Sequence, residues 1–349
     1  MFDLIDRLVS MDFGQRGMGK LYEPARARSA EPLCLSAARH LSALAPGECV
    51  IFLTGSIVRG WVSPELAETD GPIGVAALAR ALNFGFNVIP VVLTDPPLVK
   101  SVARTMEAAG LTVVSIEKAR AAAANERFTG VAVVTTCATT PESARDEAGA
   151  FVDEIKPKAV VAVERSGMTA DGTFRNSVGQ NTSDGRALLD YIVSEAAARR
   201  VPTIGIGDLG NEIGMGAIRD AVARYIPNGE RVCAAQATDV LLACGVSNWG
   251  CYAIQAALAI LTCRIELAHT PALEQRLLAA ATRIGLIDGL HGTREPSVDG
   301  LPAEVHLAVV QLLATTAQRA IKFQKLHDSP EPIYDIERLA RYRKLMREV

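Results

Sequence analysis

From residue 49 onward, short runs of β-branched and aliphatic residues alternate with longer amphipathic stretches. The runs are Cys49 to Thr54 (CVIFLT), Val88 to Thr94 (VIPVVLT), Leu111 to Ile116 (LTVVSI), Val131 to Thr136 (VAVVTT), Ala159 to Val163 (AVVAV) and Thr203 to Ile206 (TIGI). Nearly every position in them is apolar, the pattern of strands covered on both faces. Val232 to Ala235 reads as a last strand. Between the runs, residues 73–85, 97–109, 142–155, 186–200 and 212–226 carry apolar positions at helical spacing. Ile218, Ala221, Val222 and Tyr225 form such a stripe in the last of these. Repeated strand–helix–strand order predicts right-handed crossovers and an α/β fold, doubly wound around a mostly parallel, Rossmann-like sheet. Helical patterns also precede this core (2–12, 34–44) and follow it (251–267, 271–284, 303–323, 333–347). Gly14 to Ser29 and Leu286 to Pro302 read as irregular. The expected organisation is an N-terminal helical segment 1–48, an α/β core 49–237, and a helical C-terminal part 238–349 packed on the core as one unit.

Composition narrows the function classes. The chain has 349 residues, 49% of them apolar and only 5% aromatic, and 36 Lys and Arg against 39 Asp and Glu give a net charge of −3. That balance excludes disorder and coiled coil, and it lacks the basic excess of a nucleic-acid binder. Val240 to Cys263 is free of charge, but its centre, Gly245-Val246-Ser247-Asn248-Trp249-Gly250, reads as a turn and helix cap rather than a membrane span. The acid-bearing start MFDLIDRLVSMD suits neither a secretory signal nor a transit peptide. Seven cysteines without C-x-x-C spacing point to reduced thiols in a cytoplasm and to no dedicated zinc site. The partner expected is a small molecule, with no nucleic acid and no membrane, and the apolar tail helices are compatible with a homodimer.

In an open parallel sheet, ligands bind beyond the carboxyl ends of the strands. Those ends carry Thr54-Gly55-Ser56, Thr94-Asp95, Glu117, Thr136-Cys137, Glu164-Arg165 and Gly207-Asp208, whereas the strand interiors carry almost no polar group. Three loops exceed what a turn needs. Thr54 to Pro72 ends in Glu68-Thr69-Asp70-Gly71-Pro72, where Asp70 is placed to cap the helix that follows. Glu164 to Gly185 holds Arg165, Arg175, Asn176, Gln180 and Asn181, with guanidinium forks suited to carboxylates. Residues 205–218 (GIGDLGNEIGMGAI) are glycine-rich but match neither common phosphate-loop spacing. Asn211 and Glu212 fit an ordinary helix start, leaving Asp208 as the residue that capping explains least. The five histidines show no metal-ligand spacing; His306, at the start of a long helix, is the one nearest a candidate loop. No G-x-S-x-G elbow occurs, which disfavours a serine hydrolase of that type.

Together the runs ETDGPIG (68–74), VERSGMTADGTFRN (163–176), IGIGDLGNEIGMG (204–216), GVSNWGCYA (245–253) and VDGLP (298–302) resemble the carboxy-terminal domain of the D-glutamate cyclase family. The resemblance runs from about Thr54 to His306, and Leu209 stands where the family pattern usually has Gly. It implies a lyase that cyclises D-glutamate to 5-oxo-D-proline with loss of water, or a related reaction on a small acidic metabolite. It also implies a partner resembling the family's amino-terminal part, because the vertebrate mitochondrial member looks like two fused parts. Such chemistry needs a base, a carboxylate clamp and an electrophilic stabiliser. The catalytic candidates are Asp208, Glu212, Asn211 and Glu164. The substrate-binding candidates are Thr54, Gly55, Asp70, Arg165, Arg175, Asn176, Asn181, Ser247, Asn248 and His306. A divalent cation, Mg²⁺ or Mn²⁺, on Asp208, Glu212 and Asp70 would serve the same electrostatic end. Two alternatives stay open: a non-catalytic binding or regulatory subunit, and another metal- or phosphate-assisted lyase.

Overall fold

A computed structural model describes residues 1–327 and Lys344. Seven parallel strands form one sheet: β1 Cys49–Thr54, β2 Ile89–Leu93, β3 Thr112–Val113, β4 Val131–Thr135, β5 Ala159–Val163, β6 Thr203–Gly207 and β7 Val240–Ala243. Their spatial order is β3-β4-β2-β1-β5-β6-β7. Alternate residues of one strand serve opposite cores. Val50 and Phe52 join one apolar cluster and Ile51 and Leu53 the other, so the strands read as unbroken apolar runs.

The first face is covered by α1 (Phe2–Val9), α2 (Tyr22–Arg26), α3 (Leu33–Ser42), α4 (Pro72–Phe86) and α5 (Val99–Ala108). The second face is covered by α6 (Ile116–Ala123), α7 (Pro141–Ile155) and α8 (Asp190–Ala198). The short α9 (Arg219–Tyr225) and α10 (Gly229–Val232) follow β6, and α11 (Ser247–Thr262), α12 (Pro271–Ile284) and α13 (Ala303–His327) return to the first face. From Ser247 to Ile260, α11 is buried throughout and contacts α3, α4 and α13. Among the described residues no helix is long and apolar enough to cross a membrane.

The sheet departs from expectation at one end. Val232–Ala235 is not a strand: Val232 closes α10, and the last strand is Val240–Ala243, inside the uncharged run. Both segments are apolar and buried, apart from the exposed Ala235, so periodicity does not separate them. Asp239 does, because its Oδ2 accepts the Thr203 N–H (2.8 Å) and hydroxyl (2.7 Å), which sets β7 beside β6. The sheet therefore extends past residue 237. Gly14 to Ser29 is more ordered than its composition suggests. It contains α2 and buries Met18, Leu21, Tyr22 and Ala25. Residues 297–302 form a two-stranded antiparallel hairpin, β8 (Ser297–Val298) and β9 (Leu301–Pro302). The helix expected over 333–347 lies outside the described stretch 1–327.

What positions a site is the strand order. From β1 the chain moves outward to β2 and to β3 at the edge, fills the gap between them with β4, and then crosses to the far side of β1 with β5. The carboxyl ends of β1 and β5 thus flank the switch point where open α/β sheets leave a crevice.

Candidate active site

The loops after β1, β5, β6 and β7 converge on that crevice, and each delivers acidic or amide groups. Gly71 makes the approach feasible. It has φ +87°, and a Cβ there would meet Thr54 Oγ1 at 2.7 Å and Glu164 Cβ at 2.9 Å. The β1 loop can lie against the start of the β5 loop only if residue 71 has no side chain.

Asp70 and Asn248 then join two helices reciprocally. Asp70 Oδ2 accepts the Ser247 N–H (2.9 Å), and its Oδ1 accepts those of Asn248 (2.8 Å) and Gly71 (3.0 Å). Asn248 Oδ1 accepts the Gly71 (2.9 Å) and Gly74 (2.6 Å) N–H groups at the start of α4. Asp70 therefore caps α11 rather than its own helix, while Asn248 caps α4. Both helix N-termini, with their partial positive charge, point into the cluster.

Around them lies a group of carboxylates. One oxygen from each of Asp70, Glu164 and Asp208 falls within 4.8 Å of the other two. Glu164 Oε2 accepts the Ser247 hydroxyl at 2.6 Å. Asp208 follows β6 directly, and its Oδ2 accepts Arg16 Nη2 at 2.7 Å. Its Oδ1 is buried and receives no hydrogen bond. The same Arg16 nitrogen reaches Asp299 Oδ2 at 3.0 Å and the Gly245 carbonyl at 3.3 Å. Asp12 fixes the arginine loop by accepting the Arg16 and Gly17 N–H groups. Glu212 folds back so that Oε1 takes the Leu209 N–H and Oε2 that of Gly210, closing the 208–212 turn. Glu164 (φ +46°) and Asp299 (φ +53°) hold left-handed backbone conformations. Each costs about 1–3 kcal/mol for a residue with a side chain, and such strain gathers at functional sites.

So many acids in so little water cannot all stay charged. Burial, then the nearby Asp299, raises Asp70 to about 8. Burial raises Asp208 to about 7 although Arg16 pulls the other way. Glu164 and Asp299 are pushed well above the usual carboxylate range by burial and then by Asp208. Glu68 is raised in the same way by burial and then Asp299, and Glu212 by burial. The sign for stability follows from linkage. A carboxyl whose folded-state value is raised binds protons the unfolded chain has already released, so its contribution is complete below about pH 4 and is lost as pH rises through 7 to 8. In chelator, the unfolding midpoint should therefore fall between pH 6 and pH 9, and Asp70→Asn should flatten that slope. A midpoint that climbs over this range would contradict the assignment.

The other residues singled out in the sequence are placed differently. Arg165 is fully buried, and its guanidinium donates to the Gly55 carbonyl (2.6 Å), Asp95 Oδ1 (2.7 Å) and the Ala187 carbonyl (2.7 Å). It is a strut beneath the crevice. Arg175 pairs with Asp171 (2.7 Å), Asn176 with Gln180, and Asn181 accepts from Ser183, all within the β5 loop. Asn211 Nδ2 ties that loop to the β6 loop through the Arg175 carbonyl at 3.2 Å. His306 Nδ1 accepts the indole N–H of buried Trp249 at 3.0 Å, while Nε2 faces the Leu301 carbonyl. Thr54 Oγ1 lies at the crevice floor, buried and without a hydrogen-bond partner. Three members of the cluster were not among the candidates: Glu68, Asp299 and Arg16. The first two stand inside runs already noted, ETDGPIG and VDGLP. Arg16 carries no local signal, because it is one of several basic residues in a glycine-containing stretch that reads as irregular.

Comparison with known proteins bears on this arrangement. A 188-residue region is 35% identical to the human (Homo sapiens) protein "D-glutamate cyclase, mitochondrial", covering 46% of this chain and 30% of that protein. The chain therefore spans less than a third of that relative in the matched region. The family model described as "D-glutamate cyclase-like, C-terminal" matches residues 5–314, a span that includes Arg16, every carboxylate of the cluster and all seven strands. The chain belongs to the D-glutamate cyclase-like family, as a representative of its C-terminal part.

Proposed function

We propose that this chain is a lyase that closes D-glutamate, or a closely similar small amino dicarboxylate, to its five-membered lactam with loss of water. The observation that carries the reading is the buried acid cluster at the β1/β5 switch point, where oxygens of Asp70, Glu164 and Asp208 lie within 4.8 Å of one another. A crevice rich in desolvated carboxylates favours a cationic ligand, and the substrate's ammonium group is one. The amine must lose a proton before its lone pair attacks the γ-carboxyl carbon. Asp208, raised to about 7, is a base of suitable strength at neutral pH. As the tetrahedral centre collapses, the departing oxygen must be protonated to leave as water. Glu164, raised well above its ordinary value and bonded to the Ser247 hydroxyl, is the acid for that step. Arg16, held by Asp208 and Asp299, is the cation of the cluster that a substrate carboxylate would engage. Oxygen donors from Asp70, Glu164 and Asp208, grouped within 4.8 Å, suit a hard divalent cation. Bound there, Mg²⁺ or Mn²⁺ would supply Lewis-acid polarisation of the carboxyl group.

The test is direct. Purified chain incubated with D-glutamate, with and without Mg²⁺ or Mn²⁺, should form 5-oxoproline, and L-glutamate should give less. The absence of product under every condition overturns the catalytic reading. The partial match to the human protein favours one alternative, in which this part binds substrate and a separate part completes the reaction. That arrangement predicts glutamate binding without turnover, and turnover on adding the partner.

A further inference from the structure

A second concavity lies away from the acid cluster, in the groove where α12 packs on α5, with a volume of about 700 Å³. Its walls are two facing stripes of the same charge. Lys100 and Arg104 stand one helical turn apart on α5, and Arg276 and Arg283 stand two turns apart on α12. The facing carboxylate is Glu65, at the lip on the β1 loop. Arg104 is paired with Glu107 at 2.9 Å on the exposed side, and Arg283 Nε donates to the Ala279 carbonyl. Among the described residues neither Lys100 nor Arg276 forms an ion pair. Between the stripes the floor is apolar, formed by Pro97, Ala108, Ala280 and Ile284.

A chain with net charge −3 has acids to spare, yet this seam gathers four cations around one hollow. Like charges one turn apart on a helix repel, and a facing pair of such rows adds to the cost. Arg80 of α4 feels it too, since burial and then the charge of Arg276 lower its pKa. With Arg104 paired to Glu107 and Glu65 at the lip, the seam keeps a positive excess that an anion of more than one charge, with an apolar part for the floor, would match. The volume is in the range of small-molecule sites.

We propose that the α5/α12 groove is a binding site for a phosphate-bearing small anion, with the phosphates between Lys100, Arg104, Arg276 and Arg283 and any ring on the Ala108–Ala280 floor. The shared chemistry is a polyphosphate, which a nucleotide or free pyrophosphate could each supply. The site is separate from the acid cluster and does not depend on the cyclase reading.

The full chain in chelator, which removes metal bridging at the acid cluster, would be titrated calorimetrically with ADP, pyrophosphate and orthophosphate. ADP or pyrophosphate should bind, more weakly as salt rises. The double variant Lys100→Ser, Arg276→Ser should weaken binding by about tenfold or more. All four cations are exposed, so fold should be retained, as an unchanged unfolding midpoint would verify. ADP bound more tightly than pyrophosphate identifies a nucleotide site, and equal binding identifies a polyphosphate site. Heat absent at millimolar concentration, or binding that the double variant leaves untouched, overturns the proposal.

Discussion

Asp208→Asn should lower the rate of 5-oxoproline formation by about 10²–10⁴-fold, the usual contribution of a positioned general base. The amide keeps the shape of the side chain and one oxygen for Arg16, so the loss should appear in kcat rather than in expression or fold. The unfolding midpoint should change little, because the substitution trades two effects of opposite sign. It removes a charge that burial, and then the neighbouring Glu212 and Asp70, disfavour, and it weakens the 2.7 Å ion pair to Arg16. Measuring kcat beside the thermal midpoint separates the two. Full turnover in the variant would remove Asp208 from the chemistry and leave Glu164 as the alternative proton acceptor.

The largest effect on stability should come from Arg165→Leu, at about 3–5 kcal/mol, the cost of breaking a fully buried ion pair by deleting one member. Asp95 would keep the Ala187 N–H at 2.8 Å and the more distant Arg186 guanidinium at 4.0 Å, while the Gly55 and Ala187 carbonyls would each lose a donor. Chemical denaturation would register the loss as a lower midpoint at similar slope. A substrate-binding role predicts the opposite pattern, with stability near wild type and a raised KM. Lysine at 165 should recover only part of the stability, because a single ammonium group cannot hold three acceptors in the plane of a guanidinium fork.

The contrast between these two residues explains how far the sequence could be read. Period and apolar content located β1 and β5 to the residue, because a strand buried on both faces has few other ways to be written. They failed at β7, where Val232–Ala235 and Val240–Ala243 are equally apolar and the deciding contact comes from Asp239 to the distant Thr203. At the site, the motifs gave Asp70, Glu164, Asp208, Glu212, Ser247 and Asn248, all of which converge at the crevice. What the motifs hid was each group's partner. Arg165 and Arg175 read as free guanidinium forks, yet Asp95 and Asp171 engage them. Arg16 sits in a stretch that reads as irregular, yet it reaches Asp208 across 192 positions of chain. Residue type and local spacing describe what a side chain can do, and only tertiary contact decides whether it is already engaged.

The exchange of caps between Asp70 and Asn248 also sets when the site can exist. Asn248 lies 178 positions after Asp70, and neither helix start is satisfied until the two loops meet. Closing so long a loop costs entropy before any contact repays it, which places this step late in folding. On the ribosome, β1, β2 and β5 can emerge and pair while the acids that will share one crevice remain apart in water, each with its ordinary affinity for protons. The cluster takes shape only once α11 is available, and it lacks Asp299 until the β8–β9 hairpin follows. A chain that stops before α11 or the hairpin therefore lacks the cluster, and the electrostatic cost of gathering six carboxyl groups is met only by a nearly complete fold.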